Sequence, residues 1–413
     1  MMEKPAVALV PDYYKRFTCT GTTCEDTCCS GWSVDIDQNT YQKYKEVTDP
    51  EIKDLFRMVL KRNHSNPTHG QYATFKMKEM ACPLLEKDKL CSIQLKLGED
   101  FLSNLCSTFP RVANVVNGAL EKSLTLSCPE AVRLSLLNPN KMEFEEVLEP
   151  KNMRHYVKHI IHTSEEKTNE LDHYFWELRI FTIKTIQNRH YPLSDRLIIL
   201  GMFYQKVQKC IDEGNYQSIP QLIQAYDALI MEEEVKKSLS GISSSVTIQM
   251  QLMKELADFR VATGVNSRVR YFECYQEMQA GLQFTEEAAI DEVSDRYQKS
   301  YQEYYLPFMQ EREYILENYL VNYVFKNVFP HSTSRKVFDE YVMLVVHYSL
   351  IKLHLIGMAG YHKESFSVEH VVKLIQSFSK VVEHDSLYLR KIHELLVTNG
   401  FSSIAYMAIL IKN

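Results

Sequence analysis

Eight of the ten cysteines fall in one stretch, at Cys19, Cys24, Cys28, Cys29, Cys82, Cys91, Cys106 and Cys128. Soft sulfur donors gathered in this way either pair as disulfides or bind a metal. A disulfide framework belongs to oxidising compartments and usually to short chains, whereas this one has 413 residues. The N-terminal stretch carries an apolar run only from Ala6 to Val10, ended by Pro11, so no secretory signal is legible there. A reducing, cytoplasmic home is the expectation, and reduced thiols are available to metals. The adjacent pair Cys28-Cys29 points the same way, because neighbouring residues scarcely reach disulfide geometry with each other.

Which metal is less tightly fixed. A sulfur-only set without histidine at finger-like spacing suits a structural zinc held by four thiolates or an iron–sulfur cluster. The intervening residues number four, three and zero, then eight between Cys82 and Cys91 and fourteen between Cys91 and Cys106, with no Cys-x2-Cys pair of the zinc-ribbon kind. The steps Cys82-Pro83 and Cys128-Pro129 tilt toward iron–sulfur, since proline after a ligand removes a competing N–H. Zinc stays open as the alternative on spacing alone. Two other chemistries lack their signatures. No Gly-x-Gly occurs, so the glycine-rich turn of dinucleotide-type folds is missing. The three-cysteine run of radical enzymes is missing too, because Gly31 stands where a third cysteine would follow Cys24 and Cys28.

The elements that must position these thiols read as mainly α. Only 13 Gly and 13 Pro occur, which disfavours turn-dense all-β architectures. A cysteine-rich metal-binding module with short strands and loops is expected over residues 1–140, followed by a larger all-helical domain over 151–413. Within the module, Trp32 to Asp37 alternates like a strand, with Trp32, Val34 and Ile36 on one face. The polar, acidic stretch from Leu136 to Pro150 reads as a linker. Beyond it, Leu193, Leu197, Leu200, Gly201 and Tyr204 mark one helix face, with Ser194 or Asp195 as cap. Ser367 is placed to cap a helix with the stripe Val368, Val371, Val372, Ile375 and Phe378, and Phe366 with Val371 forms a hydrophobic staple. The tyrosine-rich segment 297–329 reads as amphipathic core first and as a ligand-lining surface second. Tyr341 to Gly360 is apolar, yet it holds His347, Lys352 and His354, so it is expected to be a buried helix and not a membrane span, the histidines structural. Net charge is −6 with both signs interspersed, and no nucleic-acid or membrane partner is expected.

Specific blocks carry a family resemblance. Phe17-x-Cys19-x4-Cys24-Glu25-Asp26-Thr27-Cys28-Cys29-x-Gly31-Trp32, then Cys82-Pro83-Leu84-Leu85 with Leu90-Cys91-x-Ile93-Gln94, then Leu102-Ser103-x2-Cys106-x2-Phe109-Pro110-Arg111, and finally Leu126-Ser127-Cys128-Pro129-Glu130 resemble bacterial flagellin lysine N-methylases. The N-terminal blocks also resemble the Cys-x3-Cys-Cys zinc- or iron-chelating domain. The likeness extends into the helical region at Trp176-Glu177-Leu178-Arg179 and from Gln187-Asn188-Arg189 to Arg196.

The resemblance implies an enzyme that moves a methyl group from S-adenosylmethionine to lysine side chains of flagellin, with a [4Fe-4S] cluster involved. All eight clustered cysteines match its pattern, but one cubane takes at most four thiolates. Cys28, Cys82, Cys91 and Cys106 are the preferred ligands, with Cys24 and Cys29 next, then Cys19 and Cys128. Cys210 and Cys274 lie outside the pattern and read as packing residues. The lysine must lose a proton, and Asp35 and Asp37 are candidate acceptors by proximity to Cys29. The forked donors of Arg111 suit a cofactor carboxylate, with a structural salt bridge as the competing role. The other class of function is a non-enzymatic protein-binding module in which zinc or iron–sulfur is structural.

Overall fold

The computed structural model describes residues 6–31, 33–65, 67–78, 81–149, 154–163, 170–242, 245–263, 269–285, 288–331 and 336–413. Among them are the strands β1 (Ala6–Pro11), β2 (Asp35–Ile36), β3 (Leu60–Arg62), β4 (Ala73–Phe75), β5 (Arg111–Val116), β6 (Ala119–Leu124), β7 (Phe144–Glu149) and β8 (Val157–Ile161). They form a five-stranded sheet in the order β7-β1-β6-β5-β8 and a three-stranded sheet in the order β2-β4-β3. β5 and β6 make a hairpin around Asn117 and Gly118, both at positive φ, the backbone that a tight two-residue turn requires.

The large sheet corrects two expectations. The stretch from Leu136 to Pro150 is not simply a linker, because residues 144–149 are β7, paired antiparallel with β1. Its glutamates are accommodated by cations: Glu145 meets Lys15 at the surface, and the buried Glu149 meets the buried Lys122 at 2.7 Å. Nor is the region 151–413 all helical, since β8 completes the sheet beside β5. The sheet is tied to the helices by Arg179, which makes two charge-assisted bonds to the buried Glu121 at 2.8 and 2.5 Å. In the short strand expected from Trp32 to Asp37, β2 spans Asp35–Ile36, Val34 and Ile36 are buried, and Trp32 lies outside the described residues.

Helices build the rest. The helix Val337–His362 is covered by protein almost throughout. It is long and apolar enough to cross a membrane, yet its most apolar window is wholly buried within the fold. Its polar groups find partners inside: His347 and His354 donate from Nδ1 to Met343 O and Leu350 O one turn back, and Lys352 donates to Ile411 O at 2.9 Å. The helix Leu193–Asp212 starts as expected, but neither Ser194 nor Asp195 caps it. Pro192 takes the cap position, and Glu313, just before the helix Tyr314–Lys326, accepts the Leu193 N–H at 2.8 Å. Ser367 does stand at the start of the helix Val368–Phe378, where its N–H donates to His370 Nδ1, and Phe366 and Val371 are both buried.

Two main apolar cores result, beside a lesser cluster of Val116, Ile161, Phe175 and Val328. The larger runs from Ala8 and Val10 of β1, through Leu124 and Leu126, into the helical body. A smaller one joins Val34, Ile36, Tyr44, Phe56 and Phe75 to Cys82, with Cys29, Cys91 and Cys106 at its edge. Close helix packing in the larger core relies on glycine. A Cβ on Gly281 would stand 1.9 Å from Gly357 O, in the crossing of the helices Val269–Leu282 and Val337–His362. Gly281→Ala is therefore expected to lower stability by about 1–3 kcal/mol or more. The surface substitution Gly241→Ala, whose nearest contact would be 3.6 Å, is the control for equilibrium denaturation. Equal midpoints for the two variants would contradict this packing.

Candidate functional site

Short backbone pairings bring the cysteine segments together. Cys82 N–H donates to Cys29 O at 2.7 Å, and Ser30 pairs with Ala81. Leu85 pairs with Cys91, and Ser92 N–H donates to Leu84 O at 2.8 Å. Cys91 stands at the start of the helix Ser92–Leu97, while Cys106 lies in the helix Asn104–Thr108, capped by Ser103. All ten cysteines are free thiols.

Their mutual electrostatics divide the eight clustered thiols into two neighbourhoods. Burial raises Cys82 to about 11 and Cys106 to about 12, and the neighbouring Cys91 and Cys28 add to both. Cys29, 4.0 Å from Cys28, is pushed up by that pairing and by burial, with Cys91 and Cys82 contributing. Cys28 is pulled down to about 7 by the contact with Cys29 and by Lys380, against burial. Cys28, Cys29, Cys82, Cys91 and Cys106 thus share one neighbourhood. Cys128 is raised to about 12 by burial, with Cys24 and Cys19 as its thiol neighbours. Cys210 is half-buried, and Cys274 is packed in the larger core.

Three observations bear on whether the first neighbourhood suits a thiophilic metal group. The donors are all sulfur. Backbone N–H groups are aimed at sulfur, from Leu84 to Cys82 and from Ile93 and Gln94 to Cys91, the arrangement that favours thiolate over thiol. The buried Tyr44 hydroxyl has no hydrogen-bond partner although Cys106, Cys91 and Cys82 are its neighbours. Such a donor is costly to leave unmet and would be satisfied by sulfur of a bound group. Among the described residues no three His, Cys, Asp or Glu side chains already stand at metal-holding separations, so the thiols would have to draw closer on loading.

The loop bearing Cys24, Cys28 and Cys29 is pinned to the helical body. Lys380, in the π-helical turn Ser379–Glu383, donates to Asp26 Oδ2 and Thr27 O, both at 2.8 Å. Gln376 donates to Asp26 Oδ2 at 2.7 Å and to Ser127 O at 2.9 Å. Gly31, at φ +90°, passes so close that a Cβ would lie 3.1 Å from Lys380 Cε.

Beside this contact opens a cavity of about 670 Å³, lined from the cysteine side by Asp35, Leu105 and Phe109 and from the helical side by Tyr323, Lys326 and Glu383. Glu383 is buried and ionised: burial opposes its charge, but Lys326 at 2.7 Å and the Tyr319 hydroxyl at 2.7 Å help hold its pKa down at about 2. His384 Nε2 lies 3.3 Å from both Thr125 Oγ1 and Ser127 Oγ. Arg111 lines the same space, its guanidinium 5.0 Å from the centre of the Phe17 ring.

The two aspartates fare differently. Asp35 lines the cavity, and burial raises its pKa, opposed by a hydrogen bond from Gln71. Asp37 does not: its carboxylate caps the helix Gln38–Glu46, accepting from Thr40 N, Thr40 Oγ1 and Asn104 N. Burial works against the Asp37 charge, but those bonds hold its pKa low, as suits a structural cap and not a proton acceptor. Lys158, Lys326, Glu383 and His384 had no sequence signal, because they are isolated residues brought together by tertiary packing. Of the tyrosine-rich segment, Tyr323 reaches this cavity. Tyr301 and Tyr305 line a separate one of about 630 Å³.

Residues 179–410 match the family model described as the FliB lysine N-methylase C-terminal domain. The chain belongs to this family. It is 24% identical over 400 residues to a lysine-N-methylase of Salmonella typhimurium, covering 94% of each chain. It is similarly related to a lysine-N-methylase of Salmonella choleraesuis, 24% identical with 94% of each chain covered. The flagellar biosynthetic protein FliU of Salmonella muenchen is 33% identical over 141 residues, 33% of this chain and 80% of that protein. No solved structure matches.

The orphaned hydroxyl gives a test of the thiol neighbourhood. In reduced, chelator-stripped protein Tyr44→Phe is expected to be stabilising by about 1 kcal/mol, because a buried unmet donor is removed. After metal loading the sign reverses. Thermal unfolding of both forms reads this, and a variant that shifts both forms equally contradicts a bound group beside Tyr44.

Proposed function

We propose that this chain transfers methyl groups from S-adenosylmethionine to lysine side chains of flagellin, in the cavity where the cysteine segments meet the helical body. Full-length similarity to proteins named lysine-N-methylases supports the reaction class. The FliU relative, named for flagellar biosynthesis, supports a flagellar substrate. The observation that carries the location is the cavity lined jointly by Leu105 and Phe109, flanking Cys106, and by Lys326 and Glu383 of the helical body.

In this account residues 1–140 supply the metal module and 151–413 the body that docks cofactor and protein substrate, the two stitched by the five-stranded sheet. Cys28, Cys82, Cys91 and Cys106 would hold a [4Fe-4S] cluster, with Cys29 in the same neighbourhood. Bound through three of these four thiolates, such a cluster would supply a Lewis-acidic anchor for the amino and carboxylate groups of the methyl donor. The chain's own residues do the rest. Arg111 offers a forked cation to the donor's carboxylate. Phe109 and Tyr323 give the donor apolar walls. The ionised Glu383 contributes negative charge near the sulfonium and the incoming ammonium. Asp35 at the rim attracts the cationic lysine. Holding amine and methyl carbon in line supplies much of the rate. Reduced thiols require a reducing compartment, consistent with the cytoplasm.

The experiment is metal and sulfide analysis of anaerobically purified protein, followed by mass spectrometry of flagellin incubated with it and S-adenosylmethionine. Iron and sulfide in comparable amounts, with lysine peptides gaining methyl increments, are expected. Near-stoichiometric zinc and unshifted flagellin, under reducing and non-reducing conditions alike, would instead identify a non-enzymatic protein-binding module with a structural metal.

A further inference from the structure

β8 is irregular where it pairs with β5. Ala113 faces Val157 while Asn114 faces His159, so Lys158 is the extra residue of a bulge. In a regular strand Lys158 and His159 would point to opposite faces, but here both line the 670 Å³ cavity. Bulges commonly re-aim side chains beside active sites.

The Lys158 amine donates to Asn327 Oδ1 at 3.0 Å, an amide oxygen and not a carboxylate. The titratable groups around it are Tyr156 and His159 on its own strand side, Lys326 and His331 from the chain around the end of the helix Tyr314–Lys326, and Glu383 from the π-helical turn. Lys326 is already paired with Glu383 at 2.7 Å. Lys158 is therefore left, among the described residues, without a carboxylate of its own, in an open cavity that solvent and a substrate side chain can enter. Solvent reaches Lys158, yet the protein packed around the cavity, and then the Lys326 charge, bring its pKa down to about 8, with Glu383 opposing. The same causes, with Lys158 and His331 as the neighbouring charges, hold His159 neutral at about 4.

A substrate lysine in water has a pKa of about 10.4, so fewer than about one in a thousand is neutral at pH 7. Methyl transfer needs the neutral amine, and an acceptor with a pKa near the working pH is the most effective. We propose that Lys158 takes the proton from the incoming lysine, an inference that rests on the methyl-transfer reading of this cavity. The substrate ammonium gives one proton to the neutral Lys158 amine. The freed nitrogen lone pair then forms a bond to the methyl carbon as the S–C bond of the sulfonium breaks, its electron pair staying on sulfur as a neutral thioether. The product is a methylammonium, and Lys158 returns its proton to solvent.

Two measurements test this. Peptide-resolved acylation of the donor-free protein across pH should show Lys158 half-reactive near pH 8, about two units below ordinary surface lysines. Lys158→Arg keeps the charge and the donor to Asn327 but cannot act as a neutral acceptor. It should lose about 100-fold or more of the flagellin methylation rate at pH 7. It should recover toward the wild-type rate near pH ~10, where the substrate lysine loses its proton unaided. A Lys158 that titrates with the surface lysines, or an Arg variant that follows the wild-type pH profile, overturns the proposal. A wild-type protein that methylates nothing at any pH overturns the functional reading beneath it.

Discussion

A helix with no polar face exists in water only if other segments cover it. Val337–His362 is such a helix, and the fold is arranged to surround it. Helices pack close enough to need Gly281 against Gly357, Lys352 finds the carbonyl of Ile411, and His354 meets Tyr271. The same helix sends Glu340 and His347 toward the cavity, so the segment that organises the core also fixes one wall of the candidate site.

The second constraint is charge taken out of water. Buried ions demand partners, and here they are used as joints. Arg179 with Glu121 and Lys122 with Glu149 tie sheet to helix and strand to strand. Arg196 with Glu313 and Glu317 locks the helix Leu193–Asp212 to the start of Tyr314–Lys326. Lys326 with Glu383 forms the cavity floor, and Lys380 with Asp26 clamps the cysteine loop to the helical body. Lys158, which solvent reaches and which donates to the Asn327 amide oxygen, is not one of these joints, and the proposed proton-accepting role uses that difference.

What the sequence made legible follows from what is local. Apolar periodicity marked the helices at Leu193 and Ser367, and composition marked a mainly α chain. The interrupted apolar run from Tyr341 to Gly360 marked a buried helix, because His347, Lys352 and His354 are tolerable in a protein interior and not in hydrocarbon. Within the five-stranded sheet the Asn117-Gly118 hairpin is a local signal that went unread, whereas β1 with β6 and β7, and β5 with β8, pair segments far apart in sequence, and β7 is dressed in glutamates like a linker. The cap of Leu193–Asp212 was missed because it comes from Glu313, more than a hundred residues away. Clustering of cysteines was visible, but not which tertiary neighbours they meet: Cys24 and Cys19 are neighbours of Cys128, some hundred residues on in the chain. Asp35 and Asp37 looked equivalent by proximity, and only hydrogen bonds distinguish the cavity-facing residue from the helix cap.

The central claim is that the methyl donor binds where the cysteine segments and the helical body meet. Photocrosslinking with a reactive S-adenosylmethionine analogue, followed by peptide mapping of the metal-loaded protein, addresses it most directly. Adducts on both residues 105–112 and the cavity-lining helical segments around Tyr323 and Glu383 are predicted. Adducts confined to the separate tyrosine-lined cavity around Tyr301 and Tyr305 would contradict the account.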